Sequence, residues 1–330
     1  MSVLVTGGAG YIGSHMVLAL LDAGESVVVI DNLTTGFRWA VPPAATLVVG
    51  DAGDQDLVRA VIRKHKVEAI IHFAGSIVVP ESVADPLAYY NNNTAKSRTL
   101  IEVAVATGVR HFIFSSTAAV YGTPSQNPVP EDAPTRPESP YGSSKLMTEI
   151  MLADAARAHA MTYVALRYFN VAGADPAGRA GQSTPRATHL VKVACETALG
   201  KRRQIDVFGT DYPTDDGTCV RDYIHVTDLA EAHMSALAHL RKGGASDVFN
   251  CGYSRGYTVL QVIDAVKRAA GKAFDVRLSP RRAGDAVAVV ADSAKIRRVL
   301  GWRPEHDDLD RIVAQSLAWE GRGDDFKKAS

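Results

Sequence analysis

The chain has no excess of charge of either sign. Lys and Arg number 36, and Asp and Glu number 36. No long-range field therefore draws a polyanion to it, and neither a nucleic-acid nor an anionic-membrane binder is expected. Cysteine is scarce, with only Cys195, Cys219 and Cys251. The count is odd and no pair has C-x-x-C spacing, which argues against a disulfide framework or a zinc motif and fits a reducing compartment. Long apolar runs are also missing. No window of about 20 apolar residues exists for a membrane span. The first apolar run, Val3-Leu4-Val5, stops at Thr6-Gly7, too short for a signal-peptide core. The expected location is the cytoplasm. Apolar residues at 46% and charged residues at 22% exclude disordered and fibrous classes. At about 100–200 residues per domain, a chain of 330 residues suggests two packed lobes.

What is present is an alternation. Short β-branched runs at 3–6, 27–30, 46–49, 69–73, 111–114 and 163–166 are separated by helical patterns at 12–23, 54–66, 86–107 and 141–160. Continuous apolar strands between helices indicate a parallel sheet covered on both faces. Right-handed crossovers then give an α/β fold with a doubly wound Rossmann sheet. Beyond about Asn170 the pattern loosens into Gly-, Pro- and Arg-rich stretches with shorter elements at 191–198 and 258–270. This half reads as a smaller C-terminal α/β lobe with long loops, of the kind that usually carry function. The expected division is 1–170 and 171–330, with some segments returning to the first domain.

The first strand runs into Thr6-Gly7-Gly8-Ala9-Gly10-Tyr11-Ile12-Gly13. Glycines at Gly7, Gly10 and Gly13 permit a sharp turn and let a pyrophosphate approach the backbone. The helix that follows offers free N–H groups and a positive dipole end. Asp31 ends the second strand, where a carboxylate accepts hydrogen bonds from an adenosine ribose diol and repels a 2′-phosphate. NAD is favoured over NADP on that ground. Asp51 and Ala52 follow the third strand. Asp51 is placed either to contact the adenine or to cap the next helix.

Tyr141 and Lys145 form Y-x-x-x-K at the start of a helix, which puts both side chains on one face. An ammonium beside a phenol favours the phenolate and lowers its pKa from about 10 toward neutrality. Such a tyrosine can take a proton from an alcohol while hydride leaves the carbon. Ser115-Ser116-Thr117 ends an upstream strand, so a hydroxyl there could bond the same substrate oxygen.

These residues together resemble the extended short-chain dehydrogenase/reductase family. Within it, four stretches are similar to the UDP-glucose 4-epimerases. They are Phe112-Ile113-Phe114-Ser115-Ser116-Thr117-Ala118-Ala119-Val120-Tyr121-Gly122, Ser139-Pro140-Tyr141-Gly142-Ser143-Ser144-Lys145, Leu166-Arg167-Tyr168-Phe169-Asn170, and the run from Asp211 through Arg221-Asp222-Tyr223-Ile224-His225-Val226. The resemblance extends from Met1 to about Trp302.

The resemblance implies C4 inversion of UDP-glucose and UDP-galactose through a 4-keto sugar, with NAD retained as a prosthetic group. Tyr141 is then the base, Thr117 shares its hydrogen bond, and Lys145 holds the nicotinamide ribose. The cofactor set it implies adds Tyr11, Ile12 and Asn32 near the loop, then Phe73, Ala74 and Gly75, with Asn92, Ser115 and Tyr168. For UDP it implies Asn170, Arg221, Arg282 and Asp285. Leu190 and Phe208 pack on the uridine, and His189 and Val207 join them. A homodimer through the helices at 86–107 and 141–160 is implied too.

Some positions depart from the family pattern. Ile77 stands where many members carry a cofactor-touching lysine, Cys219 replaces a usual glycine, and His189 replaces an asparagine. His15 reads as structural. Arg281-Arg282-Ala283-Gly284-Asp285 aligns with R-R-x-G-D and places Val289 at a position that limits the sugar's C2 substituent. A small residue there implies some acceptance of UDP-N-acetylhexosamines, unless Val290 or a neighbouring loop fills the space. Two alternatives stay open. A nucleotide-sugar 4,6-dehydratase needs an acid and a base after Thr117, where this chain has Ala118 and Ala119. A non-catalytic NAD-binding regulator has no use for Tyr141 and Lys145. Galactose breakdown and polysaccharide supply use the same reaction, so the sequence does not choose a pathway.

Overall fold

The structure, a computed structural model, describes residues 2–185, 187–282 and 285–323. The chain opens with β1 (Ser2–Thr6), α1 (Tyr11–Asp22), β2 (Ser26–Asp31), β3 (Thr46–Val49), α2 (Gln55–His65) and β4 (Val67–His72). Short α3 (Val79–Ala84) and α4 (Pro86–Tyr89) follow. A π-helical turn at Tyr90–Ala95 then leads into α5 (Lys96–Thr107). The long helix expected over 86–107 is thus present but locally unwound. β5 (His111–Thr117), α6 (Pro140–Ala158) and β6 (Thr162–Tyr168) come next.

The rest of the chain is built of shorter pieces. β7 (Asn170–Ala172), α7 (Leu190–Ala198), β8 (Gln204–Phe208) and β9 (Val220–His225) lead to α8 (Val226–Arg241). They are followed by β10 (Asp247–Cys251), β11 (Gly256–Thr258), α9 (Val259–Ala270), β12 (Asp275–Ser279), β13 (Ala288–Val289), α10 (Ala294–Leu300) and α11 (Leu309–Gly321).

Seven strands form one parallel sheet in the order β10-β6-β5-β4-β1-β2-β3. Side chains alternate across it, as the period of two requires. Val3, Val5, Val27, Val29, Ala69 and Ile71 join one core, which reaches α1 and α8. Leu4, Val28, Ile30, Ile70, Phe112 and Phe114 join another, which reaches α2, α5 and α6. Each large side chain buried this way contributes about 1.5–3 kcal/mol. Burial on both faces is why these strands read as unbroken apolar runs.

Strand order reverses between β1 and β4, which opens a crevice at the carboxyl ends of those strands. β10 comes from the second half of the chain and closes one edge of the sheet by pairing with β6.

The second half is a smaller assembly. β9 pairs with β7, β11 and β13, and β12 pairs with β8. Helices α7, α9 and α11 pack on one another. Lys192 of α7 pairs with Glu196 of its own helix at 3.5 Å and with Glu320 of α11, which also accepts Lys201 at 2.5 Å. Among the described residues no helix is long and apolar enough to cross a membrane.

Candidate active site

The glycine loop fills the crevice. Gly7 has φ +73°, and a Cβ on it would lie 2.6 Å from the Ala74 nitrogen. The loop and the end of β4 can meet this closely only without a side chain there. Phe73 and Ala74 both donate their N–H to the Thr6 carbonyl, at 2.9 and 3.1 Å. A Cβ on Gly13 would sit 2.1 Å from the Gly7 carbonyl oxygen, so the first turn of α1 packs directly on the loop. A Cβ on Gly10 would meet only that carbonyl, at 3.3 Å. Gly10 begins α1, and no side chain caps it. The N–H groups of Tyr11, Ile12 and Gly13 are those a helix start leaves for an anion.

Asp31 is 8% exposed and accepts the Ala9 N–H at 2.9 Å and the Leu33 N–H at 2.8 Å. Its carboxylate is thereby fixed beside the loop. This open-backed cradle with a carboxylate at its rim suits a dinucleotide. Asn32 accepts the Thr34 N–H. Asp51 is already engaged, accepting Lys96 at 2.6 Å and the Gly53 N–H at 2.8 Å. The capping role considered for Asp51 belongs to Asp54, which accepts the N–H groups of Asp56 and Leu57. Ala52 packs beside the α2 core.

The π turn carries Asn92, whose Nδ2 donates to the Ser76 hydroxyl at 2.9 Å. Its neighbour Asn93, not singled out in the sequence, is more deeply tied. It accepts the Ser76 N–H at 2.7 Å and donates to the Ser144 hydroxyl at 3.1 Å. The segment after Gly75 is thus pinned to α6. Three consecutive asparagines inside a helical pattern are the signal for it. Ile77 is 47% exposed.

β5 delivers Ser115, Ser116 and Thr117 to the carboxyl edge of the sheet. Opposite them, Ser139 caps α6 by accepting the Gly142 N–H at 3.2 Å, and Pro140 occupies its first turn. Tyr141 and Lys145 then share a buried face of α6. The Lys145 ammonium donates to the Ser115 carbonyl at 3.0 Å and lies 4.9 Å from the Phe114 ring centre. Burial lowers its pKa to about 8. Burial raises the Tyr141 pKa, and a hydrogen bond with Thr117 opposes that rise. The depression expected from Lys145 therefore does not appear in the folded chain alone. The phenolate loses its hydration, while the ammonium is turned to a carbonyl. Ser115 also bonds the His233 ring at 3.0 Å. Burial raises the Tyr168 pKa beside it.

Across the crevice, Asn170 begins β7. His189 and Leu190 stand at the start of α7, where the His189 ring bonds Gln182 at 2.8 Å and burial lowers its pKa. Val207 is buried on β8. Phe208, the next residue, lies under the Arg282 guanidinium at 4.9 Å. Arg282 also pairs with Asp285 at 3.0 Å. Ala283 and Gly284 of that motif lie outside the described residues. Arg221 donates to the Val220 and Ala286 carbonyls at 2.8 and 2.9 Å. Its register partner on β13 is Val289. Val289 packs against a cluster that contains Ala118, Tyr121 and Phe169, just past Thr117.

The structure thus joins Thr117, Tyr141 and Lys145 in one place, Arg221 with Val289 in a second, and Phe208 with Arg282 and Asp285 in a third. The sequence reading missed Glu149 and Arg167, a buried ion pair at 2.6 Å between α6 and β6. A carboxylate four residues past Lys145 and an arginine inside an apolar strand were the available signals.

Denatured protein should release NAD and no NADP; recovery of NADP would overturn the reading of Asp31. Gly13→Ala forces its new methyl into the Gly7 carbonyl. That protein should release little or no dinucleotide, as chromatography of the denatured extract will show; a full complement would remove the packing role assigned to this glycine.

Comparison with known proteins agrees with this geometry. The NAD dependent epimerase/dehydratase family matches residues 3–252. A UDP-glucose 4-epimerase of Azospirillum brasilense is 58% identical over 318 residues, covering 96% of this chain and 91% of that protein. The crystal structure of a UDP-glucose 4-epimerase from Brucella ovis in complex with NAD superposes with a TM-score of 0.94 at 43% identity, covering 96% of this chain and 97% of that one. A UDP-Glc/GlcNAc 4-epimerase from Campylobacter jejuni gives a TM-score of 0.86 at 46% identity, covering 97% and 99%. The chain belongs to the NAD-dependent epimerase/dehydratase family, on its UDP-glucose 4-epimerase branch.

Proposed function

We propose that this protein reversibly inverts C4 of UDP-glucose and UDP-galactose through a 4-keto sugar, with NAD retained throughout. The observation that carries the reading is the convergence of Thr117, Tyr141 and Lys145 at the carboxyl edge of the sheet, with Thr117 hydrogen-bonded to Tyr141 and the Lys145 ammonium beside Gly75. Bound NAD supplies the acceptor and donor of hydride at C4. Tyr141 takes the proton of the 4-hydroxyl and returns it after the sugar turns over its other face. Thr117 orients that hydroxyl by sharing its hydrogen bond. The Lys145 ammonium can offset the burial of the phenolate once it turns from the Ser115 carbonyl.

The N–H groups after Gly10 receive the pyrophosphate and Asp31 the ribose diol. In this division 1–170 carries the cofactor and 171–330 the UDP-sugar, with β10 returned to the first. Asn170, His189, Leu190, Val207, Phe208, Arg221, Arg282 and Asp285 form the UDP side. Ala118 and Ala119 leave no acid–base pair for a dehydration.

The direct test is conversion of UDP-galactose to UDP-glucose by purified protein without added NAD. Tyr141→Phe should lower kcat by about 10²–10⁴ while NAD stays bound. Turnover close to that of the wild type would remove Tyr141 from the role of base.

Val289 supports a wider sugar pocket. A valine has no ring to press against the C2 substituent, and overpacking there costs about 1–3 kcal/mol. UDP-N-acetylgalactosamine should therefore be turned over measurably. Val289→Tyr should lower its kcat/KM by about 5–150-fold, the same cost expressed as a ratio. An inactive wild type, or no loss in the variant, would mean that Val289 is not the gate.

The same reading makes the protein a homodimer. Leu87 is 78% exposed and Ile150 54%, with Val83 and Met147 exposed nearby on α3 and α6, which pack together. Such a patch on contacting helices is costly to leave in water. Sedimentation should give twice the chain mass, and Ile150→Glu should halve it. A monomeric wild type would refute the dimer.

A further inference from the structure

The buried polar groups beneath the catalytic helix do not end at Glu149. On α6, Glu149 lies one turn beyond Lys145 and two beyond Tyr141, on the same face. It is 5% exposed. The Ser116 hydroxyl, adjacent in sequence to Thr117, donates to it. Arg167 of β6 grips it bidentately, Nε to Oε1 at 3.0 Å and Nη2 to Oε2 at 2.6 Å. The other arm of the guanidinium, Nη1, donates to the Tyr121 hydroxyl at 3.0 Å. That hydroxyl donates onward to Asn250 Oδ1 at 2.7 Å, and Asn250 Nδ2 donates to the Val129 carbonyl at 2.8 Å. Val129 in turn holds the strand that carries Val289. Its N–H donates to the Val290 carbonyl at 2.8 Å, and its carbonyl also accepts the Asp292 N–H at 2.9 Å.

From the Arg167 Nη1 through the Tyr121 hydroxyl and the Asn250 amide to the Val129 carbonyl, each donor points the same way, from β6 toward the sugar wall. Each hydroxyl or amide that accepts on one side donates on the other, which polarises the whole series. We infer that Arg167, Tyr121 and Asn250, anchored on Glu149, are positioning residues that fix the wall bearing Val289 at a set distance from Tyr141. The width of the sugar pocket is then decided by groups that never touch the sugar. The inference rests on the epimerase reading above, because it takes Val289 as part of the pocket wall.

Tyr121→Phe is the informative variant, because it keeps the ring and its place in the apolar cluster and removes only the relaying hydroxyl. Hydrogen exchange measured by mass spectrometry should quicken about 3–10-fold at 127–131 and 288–292, the loss expected for one hydrogen bond, and stay unchanged at 7–13 and 141–149. KM for UDP-galactose should rise by a similar factor, with kcat within about twofold. Asn250→Asp puts a carboxylate oxygen against the Val129 carbonyl and should loosen the same two segments further. Unchanged exchange at 127–131 and 288–292 in both variants overturns the relay, and so does acceleration spread over the whole chain. A fall in kcat at constant KM also overturns it. A wild type that converts no UDP-galactose refutes the epimerase reading instead, and the exchange pattern still decides on the relay.

Discussion

The site depends on one close approach. At the carboxyl end of β1 the Gly7 backbone lies so near the end of β4 that no side chain fits between them. Parallel pairing of β1 with both β2 and β4 brings the chain to this point, and the reversal of strand order opens the crevice there. Everything else takes its position from that contact. Asp31 reaches the loop because β2 ends one strand over. Ala74 and Gly75 border it because β4 ends on the other side. Thr117 is one strand further along the same edge, and Tyr141 meets it from the helix that follows β5.

The electrostatics of the site follow from dryness. Tyr141 and Lys145 are both buried, and burial moves both toward their neutral forms: the tyrosine pKa rises and the lysine pKa falls to about 8. The ordinary values of a phenol and an amine lie close together, and burial drives them apart, so in the folded chain alone the phenol keeps its proton more firmly than the ammonium does. The spacing of four in the sequence implied only attraction between a cation and a phenol. Desolvation, which no local pattern encodes, is the leading influence on Tyr141 in the folded chain, where the Lys145 ammonium is held by the Ser115 carbonyl instead.

Legibility in the sequence tracked burial. Strands β1, β2, β4 and β5 are covered on both faces, so each reads as an apolar run. The glycines of the loop and the Y-x-x-x-K pair are local patterns with local causes. The π turn at Tyr90–Ala95 was invisible because one extra residue in a helical turn barely disturbs hydrophobic periodicity. β7, β11 and β13 are two or three residues long and owe their pairing to β9, so nothing in their own composition announces them. Asn93 and the Glu149–Arg167 pair were overlooked for a related reason. Their partners lie 51 and 18 residues away, and a sequence pattern records spacing along the chain, not closure across it.

The edge strand β10 and the ion pair of Glu320 with Lys192 set an order on how the molecule can be made. As the chain emerges from its N-terminus, the first six strands of the sheet are complete by residue 168. The edge of β6 then stays bare until 247–251 has been synthesised, and a bare strand edge invites pairing with other chains. Lys192, at the helix expected to hold the uridine, waits longer still for its partner at 320. Until β10 is made the edge of β6 has no partner strand, and an unpaired edge of this kind is what chaperones shield.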